Sequence, residues 1–409
     1  MSAEVRATPL GAAFDLLAAY EAPNGCFVER EGLGVATASL DHALELGPAP
    51  DLRTLARDVS AALRVMGASS PVAPVAVGAL PFTAGPASMF VPRRSVVRRD
   101  DGETWLVDLV EAGQEPPSFR PVRVIGDLPH EAFRPVQLTE EPSATTFADA
   151  VRAAVGSIDA GDLEKVVLAR TLRVDAGRAL DASRLLHRLR AVEPHCYTFA
   201  APTAAGTLVG TSPELLVSRR GDRVRSTPLA GTAPRSGDPD EDLANAEALA
   251  ASAKDRIEHT IVVAAVAEVL GERCDELAFD AEPVLEPTAN VWHLATRFEG
   301  VLRDPTVTAL DLVAELHPTP AVCGTPRAAA LARIDELEPF DRGAYAGPVG
   351  WVDARGDGDW AIALRCAALA GDTATLYAGA GIVTGSDPSR EVDETDRKFR
   401  AFLDSLRWG

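Results

Sequence analysis

A chain of 409 residues, 46% hydrophobic and 24% charged, has enough apolar side chain for a substantial core and is neither disordered nor fibrous in composition. Its formal net charge of −20 excludes nucleic acid as the principal partner, so an anionic substrate would need locally concentrated positive charge. The five cysteines, Cys26, Cys196, Cys274, Cys323 and Cys366, are scattered without a C-x-x-C pair or zinc-like spacing and read as buried thiols in a reducing compartment.

In chain order, the opening "MSAEVRATPLGAAFDLLAAY" carries acids and an amphipathic pattern in place of a signal peptide. Residues 1 to about 140 alternate helical pieces ("DLRTLARDVSAALRVM") with strand-like ones ("PVAPVAVGAL", "ETWLVDLV") and show no nameable chemistry. The polar stretch "RPVQLTEEPSATTF", 134 to 147, supplies helix caps over Ser143–Thr146 and marks a boundary. Beyond it come a strand in "LEKVVLARTLRV" (163 to 174), strands joined by a Gly-Asp turn over 207 to 229, and one long helix from about 240 to 270. Residues 345 to 383 read as three strand runs in an antiparallel meander, and a last helix follows. The Arg-Gly-Asp triplets at 220–222 and 355–357 are hairpin turns, where Gly and Asp supply the backbone angles. The apolar run "IVVAAVAEVL" at 261 to 270 is too short for a bilayer and is broken by Glu268, so a cytoplasmic protein without membrane contact is expected.

The last helix contains "SREVDETDRK", in which Glu391, Glu394 and Lys398 fall within about 60° of one another, while Asp393 and Asp396 point elsewhere. This is either a solvated face with an i,i+4 ion pair or part of a site. Asp255 and Glu258 are again three apart, where a polar half-helix meets an apolar one, and carboxylates leading into a buried run are poorly explained by solvation. Two such pairs could hold a hard cation, Mg²⁺ in preference to zinc.

Lys165, among Val-Val-Leu, is either a base whose charge burial disfavours or an edge lysine that blunts aggregation. Glu214, after Ser-Pro, is either a site acid or a strand-end surface acid. Gly379, Gly381 and Gly385 imitate a dinucleotide loop, but no helix starts where a pyrophosphate needs one. They fit better a strand whose amides approach a ligand carboxylate. His293, Tyr345 and Arg365 are polar groups inside apolar strand patterns, satisfied in the core or part of a site, and a buried guanidinium wants an anion.

Taken in order, "KVVLAR" (165 to 170), "GTSPELL" (210 to 216), "PLAGT" (228 to 232), "KDRIEH" (254 to 259), "VWHLAT" (291 to 296), "LHPTPAVCGTP" (316 to 326), "GAGIV" (379 to 383) and "ETDRK" (394 to 398) resemble the chorismate-utilising, anthranilate synthase component I-like enzymes, and among them most the isochorismate synthase branch. The resemblance covers about 145 to 405. It implies an α+β fold, two large antiparallel sheets packed as a sandwich with helices outside and the active site in a cleft. Residues 1–140 then form the N-terminal part of the same unit, and 141–409 the chorismate-binding catalytic region.

The same resemblance implies Mg²⁺ contacted by Glu258 and Glu394, with Asp255 and Glu391 supporting its waters. Lys398 and the Gly379 amide would help hold the ring carboxylate of chorismate, Arg365 and Tyr345 the enolpyruvyl carboxylate, and Gly231, Thr232, His293 and Ala321 would complete the substrate site. Lys165 would act as general base on water attacking ring C2, and Glu214 as general acid on the departing C4 hydroxyl, which requires a neutral amine and a protonated carboxyl.

Relatives that add ammonia tend to have Gln at the position of Lys165, and aminodeoxychorismate synthases a nucleophilic Lys at that of Ala230. Water is therefore the expected nucleophile here, without a glutaminase subunit. Salicylate synthases share the lysine, but Ala321 stands where lyase-type relatives often have Thr, which favours stopping at isochorismate. Salicylate synthase and an aminating relative remain the alternatives. An idle binding protein is disfavoured by the intact site set, and an NAD-dependent oxidoreductase by the missing helix. The expected molecule is a monomer serving menaquinone or siderophore biosynthesis.

Overall fold

In the computed structural model, which describes residues 3–67, 72–83, 85–122 and 136–406, the strand Lys165–Asp175 organises the chain beyond residue 136. Its Val-Val-Leu-Ala run is buried, and it pairs antiparallel with Thr373–Ile382, from Val166 opposite Ile382 to Asp175 opposite Thr373. Among the described residues the strands form sheets of twelve, nine and three. The twelve-stranded sheet runs from that pair through Cys366–Ala370, Gly206–Ser212, Tyr197–Thr203 and Phe27–Arg30 to Ala3–Pro9 at its far edge. The nine-stranded sheet includes Leu215–Arg220, Gly358–Ile362, Pro348–Asp353 and Val75–Ala79. Leu229–Pro234, Val291–Ala295 and Val284–Pro287 make the small one.

Strand alternation separates two cores. Val28, Phe199 and Leu208 of the twelve-stranded sheet meet Val77, Val217 and Trp360 of the nine-stranded sheet in one cluster, which is the interior of the sandwich. Their chain neighbours Phe27, Ala200 and Val209 face the other way, against Leu185, Leu186 and Leu189 of the helix Ala182–Val192 and Phe399 of the C-terminal helix Pro388–Leu406. Strands from the first 111 residues enter both large sheets: Phe27–Arg30 pairs with Tyr197–Thr203, and Val75–Ala79 with Pro348–Asp353.

Two expectations need correction. The helix expected over 240 to 270 is two, Pro239–Ala251 and Ala253–Arg273. Ser252 makes the break with an extended backbone: its N–H closes the first helix on Leu249, and its hydroxyl caps the second by accepting from the Asp255 amide. Ser252→Ala is expected to lower stability by about 1 kcal/mol in denaturant unfolding.

The meander is four strands and belongs to two sheets. Pro348–Asp353 and Gly358–Ile362 lie in the nine-stranded sheet, whereas Cys366–Ala370 and Thr373–Ile382 lie in the twelve-stranded one. The chain changes sheets across 363–365, where Arg365 takes a left-handed φ of 44°. A second change occurs between Ser212 and Leu215, across Pro213 and Glu214.

Both Arg-Gly-Asp triplets form hairpin turns, with positive φ at Gly221 and Gly356. Ser143 caps the helix Ala144–Asp159 as expected, while residues 134 and 135 of the boundary stretch lie outside the described residues. The five cysteines are buried and free. Among the described residues no helix is long and apolar enough to cross a membrane.

Candidate active site

The two sheet changes lie side by side. The Thr211 amide donates to the Arg365 carbonyl and the Ile362 amide to the Glu214 carbonyl, each at 3.2 Å. Main chain therefore fixes where Glu214 and Arg365 stand. Pro213 removes one donor from the first crossover, and the Ser212 hydroxyl accepts the Glu214 amide at 3.2 Å. Glu214 is 2% exposed, and burial pushes its carboxyl up to about 8 against the opposing pull of the Lys165 charge. It is not a surface acid.

Arg365 and Tyr345 were expected within strands; both occupy turns at strand boundaries, Tyr345 just before Pro348–Asp353. The Arg365 guanidinium donates to His293 Nε2 and approaches Glu193 Oε1 at 3.5 Å. A ring that accepts at Nε2 carries its hydrogen on Nδ1, and Nδ1 lies 3.3 Å from the Gly231 carbonyl and 3.4 Å from Thr232 Oγ1. Burial, then the charges of Arg365 and Lys398, hold this imidazole well below its ordinary pKa, so it stays neutral. Tyr345 is buried and stacks on Tyr377, ring centroids 4.9 Å apart.

Both helices that carry the acidic pairs reach the glycine strand: Glu258 lies against Gly381, and Lys398, beside Glu394, reaches Gly379. Lys398 Nζ donates to Glu394 Oε1 and to the Gly379 carbonyl, both at 2.7 Å, which confirms the i,i+4 pair and removes its reading as a solvated face. Lys165 is fully buried, not an edge lysine; its Nζ lies 3.0 Å from Glu258 Oε1 without the alignment of a hydrogen bond. Glu391, 1% exposed, takes the Lys254 ammonium at 2.7 Å. Asp255 accepts from the Ser252 hydroxyl. A Cβ at Gly381 would collide with the Glu258 carboxylate, and one at Gly231, φ 77°, would come within 3.0 Å of Asp255 Cβ.

One cleft is lined by Glu214, Gly231, Thr232, Asp255, Glu258, His293, Ala321, Tyr345, Arg365, Gly379, Glu394 and Lys398, which leaves Lys165 and Glu391 behind its wall among the sequence-selected residues. The same cleft shows Ala230, Arg342 and Tyr377. Among the described residues no three acidic, histidine or cysteine side chains converge into a ready metal-ligand set. The donor chemistry nevertheless fits a hard cation: the acids on the two helices are all carboxylates, and the ammoniums of Lys165, Lys254 and Lys398 sit on Glu258, Glu391 and Glu394.

Sequence reasoning missed Lys254, Glu193, Arg342 and Tyr377. Lys254 stood inside a quoted motif, but its partner is on another helix. Glu193 lies in a segment that no motif marked.

The family model described as chorismate binding enzyme matches residues 86–407. The chain belongs to this family. The isochorismate synthase DhbC of Bacillus subtilis is 39% identical over 362 residues, 87% of this chain and 86% of that protein. The isochorismate synthase EntC of Escherichia coli K12 is 40% identical over 332 residues, 81% and 80%. Among solved structures, MenF of Escherichia coli, described as a menaquinone-specific isochorismate synthase, superposes with a TM-score of 0.82 at 25% identity, covering 99% of this chain and 94% of that one. The resemblance read from the motifs and the two-sheet fold class both hold for this member of the chorismate binding enzymes.

Proposed function

We propose that this protein is an isochorismate synthase, converting chorismate to isochorismate by entry of water at ring C2 and departure of the C4 hydroxyl. The observation that carries the reading is Glu214, a carboxyl kept protonated at neutral pH by burial, in a cleft that also presents Arg365 and Lys398. Chorismate is a dicarboxylate, and in a chain of net charge −20 those two cations supply the local attraction it needs.

Arg365, with Tyr345, takes the enolpyruvyl carboxylate in a bidentate fork. Lys398 and the Gly379 amide take the ring carboxylate, with Gly231, Thr232, His293 and Ala321 shaping the remainder of the pocket. Glu258 and Glu394, supported by Asp255 and Glu391, would hold Mg²⁺, whose charge would offset the ring carboxylate in this acidic surrounding. Lys165, an ammonium against Glu258 in the resting protein, sheds that proton before turnover and as the neutral amine accepts one from the water that attacks C2, and Glu214 gives its proton to the leaving C4 hydroxyl. The ring double bonds shift as the C2–O bond forms and the C4–O bond breaks, so one water enters and one leaves.

Gly381→Ala should push Glu258 away from its place. The expected result is a rise of about 10–100-fold in the Mg²⁺ concentration for half-maximal turnover. An unchanged Mg²⁺ titration would take Glu258 out of the metal set.

The deciding experiment incubates the purified protein with chorismate, with and without Mg²⁺ and with no ammonia source, and resolves products by chromatography and mass. Mg²⁺-dependent isochorismate alone is expected. Salicylate with pyruvate would move the protein to the lyase branch despite Ala321, and unchanged chorismate would overturn the reading. The protein is further read as a cytoplasmic monomer without a glutaminase subunit, serving menaquinone or siderophore assembly. Buried free thiols support the compartment, and lysine at position 165 the use of water.

A further inference from the structure

Arg342 lines the cleft beside Tyr345, yet its guanidinium is already committed to the protein. Nε donates to Glu338 Oε2 at 2.8 Å, Nη1 to the Val322 carbonyl at 2.9 Å, and Nη2 to the Val167 carbonyl at 2.7 Å and Glu338 Oε1 at 2.5 Å. These bonds use all but one of its N–H groups, and both side chains of the pair are 3% exposed. Glu338 Oε1 also accepts the Ala169 amide at 2.7 Å. The guanidinium lies over the Phe82 ring, 4.2 Å from its centroid, and 6.0 Å from that of Tyr345.

The acceptors come from separate walls of the cleft. Val167 and Ala169 belong to the strand that begins at Lys165, and Val322 follows Ala321. The Arg342 carbonyl also accepts the Tyr345 amide at 2.9 Å, closing the turn that presents the tyrosine. A point charge could not span these positions, whereas a planar fork with fixed donor directions can.

We propose that Arg342, held by Glu338, is a positioning residue of the substrate site: it fixes the Ala321–Val322 segment and the Tyr345 turn against the Lys165 strand and touches no reacting atom. The kinetic form of this inference rests on the isochorismate synthase reading.

A buried ion pair replaced as a unit by neutral residues often leaves stability unchanged, whereas removing one partner strands a charge. This separates positioning from simple stabilisation. Arg342→Met and Glu338→Gln alone should each lower the unfolding temperature. The double variant should recover stability relative to Arg342→Met alone, yet keep a KM for chorismate raised about 10–100-fold, because the Val322 and Val167 carbonyls still lack their shared donor. Arg342→Lys, which keeps the charge without the fork, should share the KM defect. A double variant that regains wild-type KM together with its stability would overturn the proposal.

A crystal structure of the double variant reads the same claim without turnover. Displacement of Ala321 and of the Tyr345 ring supports it, and wild-type positions for both overturn it. Failure of the wild-type protein to convert chorismate would sink the functional reading alone, since this structural readout stands apart from it.

Discussion

Glu214→Gln is expected to lower kcat by about 10²–10⁴-fold and, at the same time, to make the folded protein more stable in neutral and mildly alkaline solution. The amide keeps the shape of the side chain but has no proton to give the departing hydroxyl. The stability effect follows from the direction of the pKa shift. Burial raises the carboxyl from an ordinary value of 4.5 to about 8, so between those values the folded chain holds a proton that the unfolded chain has released. The contribution of this protonated group is full below pH 4.5, declines through the window and is gone above about 8.

Glutamine does not titrate, so the gain in unfolding temperature over wild type should be small at pH 5 and largest at pH 8. The wild-type kcat/KM should fall as pH rises past about 8, where the acid loses its proton. Calorimetry at the two pH values and a pH profile of kcat/KM check these outcomes. Turnover by the glutamine variant near the wild-type rate would remove Glu214 as the acid.

Lys165→Met should cost a similar factor in kcat, about 10²–10⁴, for the opposite reason: no group remains to take the proton from water. Its effect on stability should have the opposite sign. Lys165 is fully buried, and its loss leaves the Glu258 carboxylate, 8% exposed, without its cation. Stranding such a charge costs about 3–5 kcal/mol. If Glu258 also holds Mg²⁺, the metal should restore much of this loss, and added Mg²⁺ should raise the unfolding temperature of the variant more than that of wild type. Thermal unfolding with and without Mg²⁺, beside the turnover assay, tests both parts. Retained turnover would end the water-activation role of Lys165, and equal Mg²⁺ shifts would separate Glu258 from the metal.

The sequence displayed much of this site because its charged groups are grouped locally. Glu394 and Lys398 pair within one helix, at the i,i+4 spacing that helical geometry favours. Lys165 and Glu214 stood out because a charged group inside a strand-like apolar run must be either buried or misplaced. The break at Ser252 was hidden because alanines, strong helix formers, flank it on both sides and the interruption is written in a single capping hydroxyl. The sheet change at 363–365 was hidden because no Gly or Pro stands between Ile362 and Cys366. Arg365 itself adopts the left-handed backbone that glycine usually supplies.

Pairs that join separate elements, Lys165 with Glu258, Lys254 with Glu391 and Glu193 with Arg365, depend on tertiary placement and leave no spacing to read. Glu338 and Arg342 are four apart, but the preceding helix ends at Leu337, so helical spacing gave no warrant for pairing them.

The adjoining sheet changes have a consequence for how such a site can vary. Glu214 and Arg365 are located by backbone hydrogen bonds through Ile362 and Thr211, and a change of either side chain leaves those bonds intact. Placement and chemistry are therefore inherited separately at this seam. A lineage can alter what stands at positions 214 and 365, and with it the proton inventory and anion preference of the cleft, while the geometry that presents them persists.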